Sequence, residues 1–153
     1  MRWIRGAWAV LAAAWVAGTW WVSSWNGWAV AMSCGKSGEL YFPGARSDAT
    51  CDDSMLATIG WWPLLGLGVV VAAPLLIAAI AARSWVSWLV VQYLLVLCVI
   101  GLMNWTGFWG FLLYVVPMVI AAALIAVIQL VVAWNTRRTV PATTDVALAD
   151  EPA

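Results

Sequence analysis

Few residues in this chain carry side chains able to do chemistry, and how those few are spaced narrows what they can do. Cys34 and Cys51 are separated by a segment holding the turn formers Gly35, Gly38, Pro43 and Gly44. That spacing suits a structural disulfide rather than the two-residue gap of a reactive Cys-x-x-Cys pair. Closing a loop of this size is worth about 3 kcal/mol in the chain-entropy picture. A competing reading takes Val30-Ala31-Met32-Ser33-Cys34 as a weak lipoprotein processing site, which would lipidate Cys34 and remove everything before it. Cys98 lies deep in an apolar run and reads as a small buried residue. Asp48, Asp52 and Asp53 could gather a hard divalent cation, but without a defined loop geometry they read as a solvated acidic turn, and no metal site is expected. Histidine is absent, which removes the commonest general base and the commonest metal ligand. Ser37, Ser47 and Ser54 therefore have no partner for a nucleophilic set. No catalytic residue, cofactor or enzymatic activity is expected.

Recognition rests on aromatic and amide side chains instead. The chain holds 14 tryptophans, most of them near the ends of apolar runs, where an indole buries its ring while its N–H reaches water or headgroups. Trp15 falls near the middle of a run and needs a hydrogen-bond acceptor on another helix or else faces lipid unpaired. If the first apolar run is one helix, Trp21, Trp25 and Trp28 share a face through i, i+4, i+7 spacing and could form a platform for a carbohydrate, lipid or quinone. Between the two cysteines, Leu40, Tyr41 and Phe42 could lie on the membrane surface or fill a partner's groove, with Asp52 and Asp53 adding polar contacts. Gln92 and Gln129 sit at similar depths on neighbouring runs, by helical rise, and are expected to hydrogen-bond each other for about 0.6 to 2 kcal/mol.

The elements that must position these residues follow from composition. The 153 residues are 65% hydrophobic and 9% charged, far from the roughly half-apolar, quarter-charged average of soluble domains. From Ser54 to Asn135 the one charged side chain is Arg83. Four runs, at about 6–30, 60–82, 85–103 and 108–134, each approach or exceed the roughly 20 residues that cross a 30 Å hydrocarbon core. The fold expected is an all-α polytopic membrane protein, an antiparallel bundle of four transmembrane helices over 1–138 with one disulfide-closed extracytoplasmic loop over 34–58. A tail without stable structure follows over 139–153.

Arg2, Arg5, Arg83, Arg137 and Arg138 all fall on one side of such a bundle, and only Lys36 and Arg46 on the other. The positive-inside rule then places both termini in the cytoplasm of a cell membrane protein. Ala9, Ala13 and Ala17, with Ala78 and Ala82 and with Ala122 and Ala126, form stripes that let helices approach closely. Pro74 and Pro117 interrupt backbone ladders and need neighbouring groups to take up the freed carbonyls. No ionisable residue lies well inside a run, so proton-coupled exchange has no carrier group. No basic tract exists for nucleic acid. The function expected is that of a non-catalytic membrane subunit or stabiliser, binding lipid and another membrane protein or copies of itself. The alternative is a small oligomeric carrier or pore for an uncharged or lipid-like molecule.

Overall fold

A computed structural model describes residues 2–105 and 108–138; the 139–153 tail, expected to be unstructured, lies outside the described residues. Helix α1 (Arg2–Ser23) is followed by two short helices, α2 (Gly27–Val30) and α3 (Met32–Ser37), then a loop to α4 (Met55–Ile59). Helices α5 (Trp61–Ala81) and α6 (Ser84–Met103) come next, and a 3-10 helix (Phe108–Val115) runs directly into α7 (Val116–Arg138). Three of these stretches, Trp61–Ala81, Ser84–Met103 and Phe108–Thr136, are long and apolar enough to cross a bilayer. Helix α1 has 22 residues, about 33 Å at the α-helical rise.

The first apolar run does not continue as one helix to residue 30. Ser23 and Ser24 turn their hydroxyls onto the carbonyls of Trp20 and Trp21, and the amides of Ser24 and Trp25 bond three residues back, tightening the last turn. Asn26 then caps α2 by accepting from the Ala29 amide at 3.3 Å. The fourth run is likewise divided. Pro117 has no N–H for the Leu113 carbonyl and sits at the junction where the 3-10 turns give way to α7, so the missing bond falls at the change of winding. Gly110 allows this tight path, because a Cβ there would stand 2.6 Å from the Trp105 carbonyl oxygen. The second and third runs match α5 and α6 to within a residue, and the turn joining them is tight enough to hold Ala82 at φ 47°.

The four long helices contact one another in a ring: α1 lies along α5 and touches α7, while α6 lies along α7 and the 3-10 helix and touches α5. Trp8, Val71, Leu75, Leu94, Leu112 and Val115 fill the space between them with no exposed surface. Ala78, Ala122 and Ala126 are equally buried, so these members of the small-residue stripes serve internal packing. Gly101 sits at the closest approach of α6 to the 3-10 helix; a Cβ there would lie 2.9 Å from Leu112 Cβ and 3.0 Å from the Leu113 nitrogen.

Two polar side chains in the apolar layer donate to backbone carbonyls across helices. The Trp15 indole N–H donates to the Leu67 carbonyl of α5 at 3.4 Å, the interhelical partner its depth requires. Pro74 frees the carbonyl of Val70, four residues earlier, and the Tyr93 hydroxyl of α6 donates to that oxygen at 3.2 Å. The Trp8 indole N–H is fully buried without a partner among the described residues.

Candidate functional site

At the end opposite the start of α1, the segment between α1 and α5 folds into a cap. Cys34 and Cys51 are joined as a disulfide, with Cα atoms 5.8 Å apart, so the lipidated alternative for Cys34 does not describe this structure. Gly27 passes so close to Cys51 that a Cβ would meet its Cα at 2.9 Å. The Gly27 amide donates to the Asp53 carbonyl, the Trp28 amide to that of Cys51, and the Met55 amide to that of Trp25 at 2.8 Å. Two hydroxyls fix the flanks: Ser54 caps α4 by accepting from Ala57, and Ser33 accepts from the Tyr41 amide at 2.8 Å. Met55, Phe42, Val30 and Ile59 reach down into the main core, which seats the cap on the helices.

The six loop residues singled out by sequence make separate contacts and do not form one cluster. Leu40 packs on the disulfide, Phe42 faces Phe111 with ring centroids 6.3 Å apart, and only Tyr41, 83% exposed, points away from the protein. The Asp52 carboxylate accepts from the Trp28 indole at 3.0 Å. Asp53 accepts from the amide and hydroxyl of Thr50, at 2.8 and 3.1 Å, and these bonds hold its carboxyl below the ordinary aspartate range. Asp48 pairs with Arg46 at 3.1 Å on the surface. No group of ligands able to hold a metal ion occurs among the described residues.

The tryptophan platform is divided in the same way. Because α1 ends at Ser23, Trp28 turns into the cap, leaving Trp21 and Trp25 on one surface. They border a cleft of about 350 Å³ that opens sideways between α1, α5 and the 3-10 helix, with Trp15, Leu67, Phe111 and Tyr114 along its walls. Trp25 meets Tyr114 edge to face at 6.3 Å. Of the remaining tryptophans, Trp3, Trp85 and Trp134 are exposed at the end where α1 begins, and Trp20, Trp61, Trp62 and Trp105 toward the cap.

The expected Gln92–Gln129 pair is not formed. Gln129 is buried and accepts a hydrogen bond from the Ser87 hydroxyl of α6, while Gln92 is exposed on another face of that helix. Ser87, not Gln92, lies level with Gln129; the five residues from Ser87 to Gln92 amount to about 7.5 Å along the helix and a rotation of about 140°, which carries Gln92 past Gln129 and turns it away from α7. Ser87, Tyr93 and Gly101 were missed by sequence reasoning. A Pro four residues after an otherwise ordinary carbonyl is the one signal that could have sent the search to Tyr93.

A shallow groove lies along α1 where it meets α5. It is lined by Ala9, Ala12, Ala13, Val16, Ala17 and Trp20 of α1 and by Ala72 and Leu76 of α5, and of its alanines Ala9, Ala13 and Ala17 are exposed. Comparison with known proteins finds no match among family models, curated proteins or solved structures.

Proposed function

We propose that this chain is a non-catalytic integral membrane subunit or stabilising protein of a cell-envelope membrane complex, crossing the bilayer four times as an antiparallel bundle. In this reading α1 is the fourth span. Its tryptophans Trp3, Trp8, Trp15, Trp20 and Trp21 make it less uniformly apolar than α5 to α7, yet two of them are buried against the other helices. The disulfide-clamped cap is extracytoplasmic, and both termini are cytoplasmic by the arginine asymmetry.

The observation that carries the reading is the outward-facing alanine stripe of α1. The chain's own helices use Ala78, Ala122 and Ala126 for close packing, whereas Ala9, Ala13 and Ala17 show the same spacing on a face that nothing in the chain covers. In lipid, such a face gains dispersion contacts only when another helix lies in it. The partner is therefore a transmembrane helix of another membrane protein or of a second copy, with Tyr41 and the cap surface adding contacts outside the bilayer.

Purification in mild detergent with native neighbours tests this. Ala13→Leu and Ala17→Leu should release the partner without lowering the thermal stability of the chain itself, since both residues are outside the core. Undiminished association in both variants would count against the reading. The second reading, binding of an uncharged or lipid-like molecule, is favoured by the sideways cleft at Trp21, Trp25 and Tyr114. An axial pore through a single chain is disfavoured by the filled core. A hydrophobic ligand that copurifies with the wild type and is lost on Tyr114→Ala, with association unchanged, would support binding at the cleft.

A further inference from the structure

Where the start of α1 meets the end of α7, a second cleft of about 330 Å³ is lined by Trp3, Ile4, Ala82, Ser84, Gln129 and Thr136 among others. Two independent features of this cleft point to an anion. Ser84 is the first residue of α6, a helix of 20 residues whose N-cap, Arg83, makes no side-chain capping bond and whose first turn holds no acidic residue. The amides of that first turn have no intrahelical acceptors, and the positive end of the helix dipole is uncompensated. The second feature is Gln129, 6% exposed, whose amide oxygen is held by the Ser87 hydroxyl. Its amide nitrogen has no partner among the described residues and, unlike the Trp8 indole, is not fully enclosed, and Gln129 lines the cleft.

Among the described residues the surroundings have one sign of charge. Arg2, Arg5, Arg83 and Arg138 all belong to this end and are exposed, and none is ion-paired with a carboxylate among the described residues. Every described acidic residue, Glu39, Asp48, Asp52 and Asp53, lies in the cap at the other end. The negative ends of α5 and α7 also come here, but α7 carries its own counter-charge in Arg138, stacked 3.8 Å over Trp134.

We propose that this cleft is a phosphate-binding site, with the first-turn amides of α6 and the Gln129 amide as donors; the arginines of this end line no part of it and add only a positive potential around it. Its other walls, Trp3, Ile4, Val132 and Ala133, are apolar, which fits the phosphate of an anionic phospholipid whose glycerol and chains lie along α1 and α7. A lipid source rests on the membrane placement proposed above; a soluble phosphate would use the same donors.

The test measures how firmly the full chain, in mild detergent, retains phosphatidylglycerol or diacylglycerol, which lacks the phosphate, by native mass spectrometry, with inorganic phosphate as competitor. One phosphatidylglycerol should stay bound under conditions that strip diacylglycerol. Gln129→Leu should weaken that retention about tenfold, the scale of one hydrogen bond to a charged group. Because Gln129→Leu also removes the Ser87 acceptor, Ala133→Phe provides a second variant that blocks the cleft and leaves that bond in place, with the same loss expected. Displacement by millimolar inorganic phosphate would identify the free anion as a source; no displacement would identify the lipid. Equal retention of both lipids with no effect of phosphate, or retention unchanged in both variants, overturns the proposal. Extraction of the source membranes with alkaline carbonate separates this failure from failure of the membrane reading, since only the latter releases the protein.

Discussion

Replacing Tyr93 with phenylalanine removes one oxygen atom and tests how the break in α5 is tolerated. Pro74 leaves the Val70 carbonyl without its usual amide, and the Tyr93 hydroxyl supplies a proton at 3.2 Å. Interhelical hydrogen bonds in membranes average about 0.6 and reach about 1.7 kcal/mol. In the membrane placement proposed above the Val70 carbonyl faces lipid, so the loss also strands it, and the upper part of that range applies, about 1 to 2 kcal/mol. The magnitude alone does not identify the cause, but a double-mutant cycle with Pro74→Ala does. With alanine at 74 the helix's own amide can satisfy Val70, and Tyr93→Phe should then be nearly neutral. Reversible unfolding in mixed micelles, followed by far-ultraviolet circular dichroism, would give all four stabilities. A coupling energy below about 0.3 kcal/mol, within the scatter of independent sites, would falsify the link between proline and tyrosine.

Three further outcomes follow from the geometry. Cys34→Ser with Cys51→Ser should cost the cap about 3 kcal/mol, seen as new proteolytic cleavage between residues 38 and 50 while the helical circular dichroism of the long helices is kept. Gly101→Ala should destabilise by about 1 to 3 kcal/mol through overpacking against Leu112 and Leu113, measured in the same micelle titration. Asp53, whose carboxyl is held low by the Thr50 amide and hydroxyl, should stabilise its turn at all pH values above the unfolded aspartate pKa. That contribution is lost as pH falls through the lower folded value, so the Thr50 amide resonance should titrate there and cease to do so in Asp53→Asn.

The extent of the long helices was legible because nothing competes with their hydropathy: α5 and α6 lie where the uncharged runs around Arg83 place them. The disulfide was legible for a similar reason, since Cys34 and Cys51 are the two cysteines outside those runs. What the sequence could not reveal was rotation. In a soluble helix the polar face marks the side away from the core, but α5 to α7 are apolar all round, so Ser87 and Gln92 look equivalent until the structure shows which faces α7. The same blindness applies to the alanine stripes. Ala122 and Ala126 face inward, Ala9, Ala13 and Ala17 outward, and their spacing is identical. The division of the first run at Ser23 was missed because Ser23, Ser24, Asn26 and Gly27 are too few and too weakly polar to lower the hydropathy of a long window. Their effect is local, through hydroxyl bonds to carbonyls and through the contact of Gly27 with Cys51.

The placement of polar groups also bears on which class of function the architecture can serve. Within the apolar layer, the Trp15 N–H and the Tyr93 hydroxyl each go to a backbone carbonyl of a neighbouring helix, and the Ser87 hydroxyl goes to a side chain of α7. These groups hold helices together, and pairing them consumes the donors that a conduction path would present to a solute. The unmatched groups are of a different kind. The Trp8 N–H is sealed beneath other side chains, where it costs stability and meets no ligand. The Gln129 amide opens at one end of the ring of helices, and the alanine groove opens on its side. Openings that are lateral or terminal fit the proposed reading, in which lipid and other helices touch the chain from outside, and the tenfold loss expected from Ala133→Phe and the released partner expected from Ala13→Leu measure those two contacts separately.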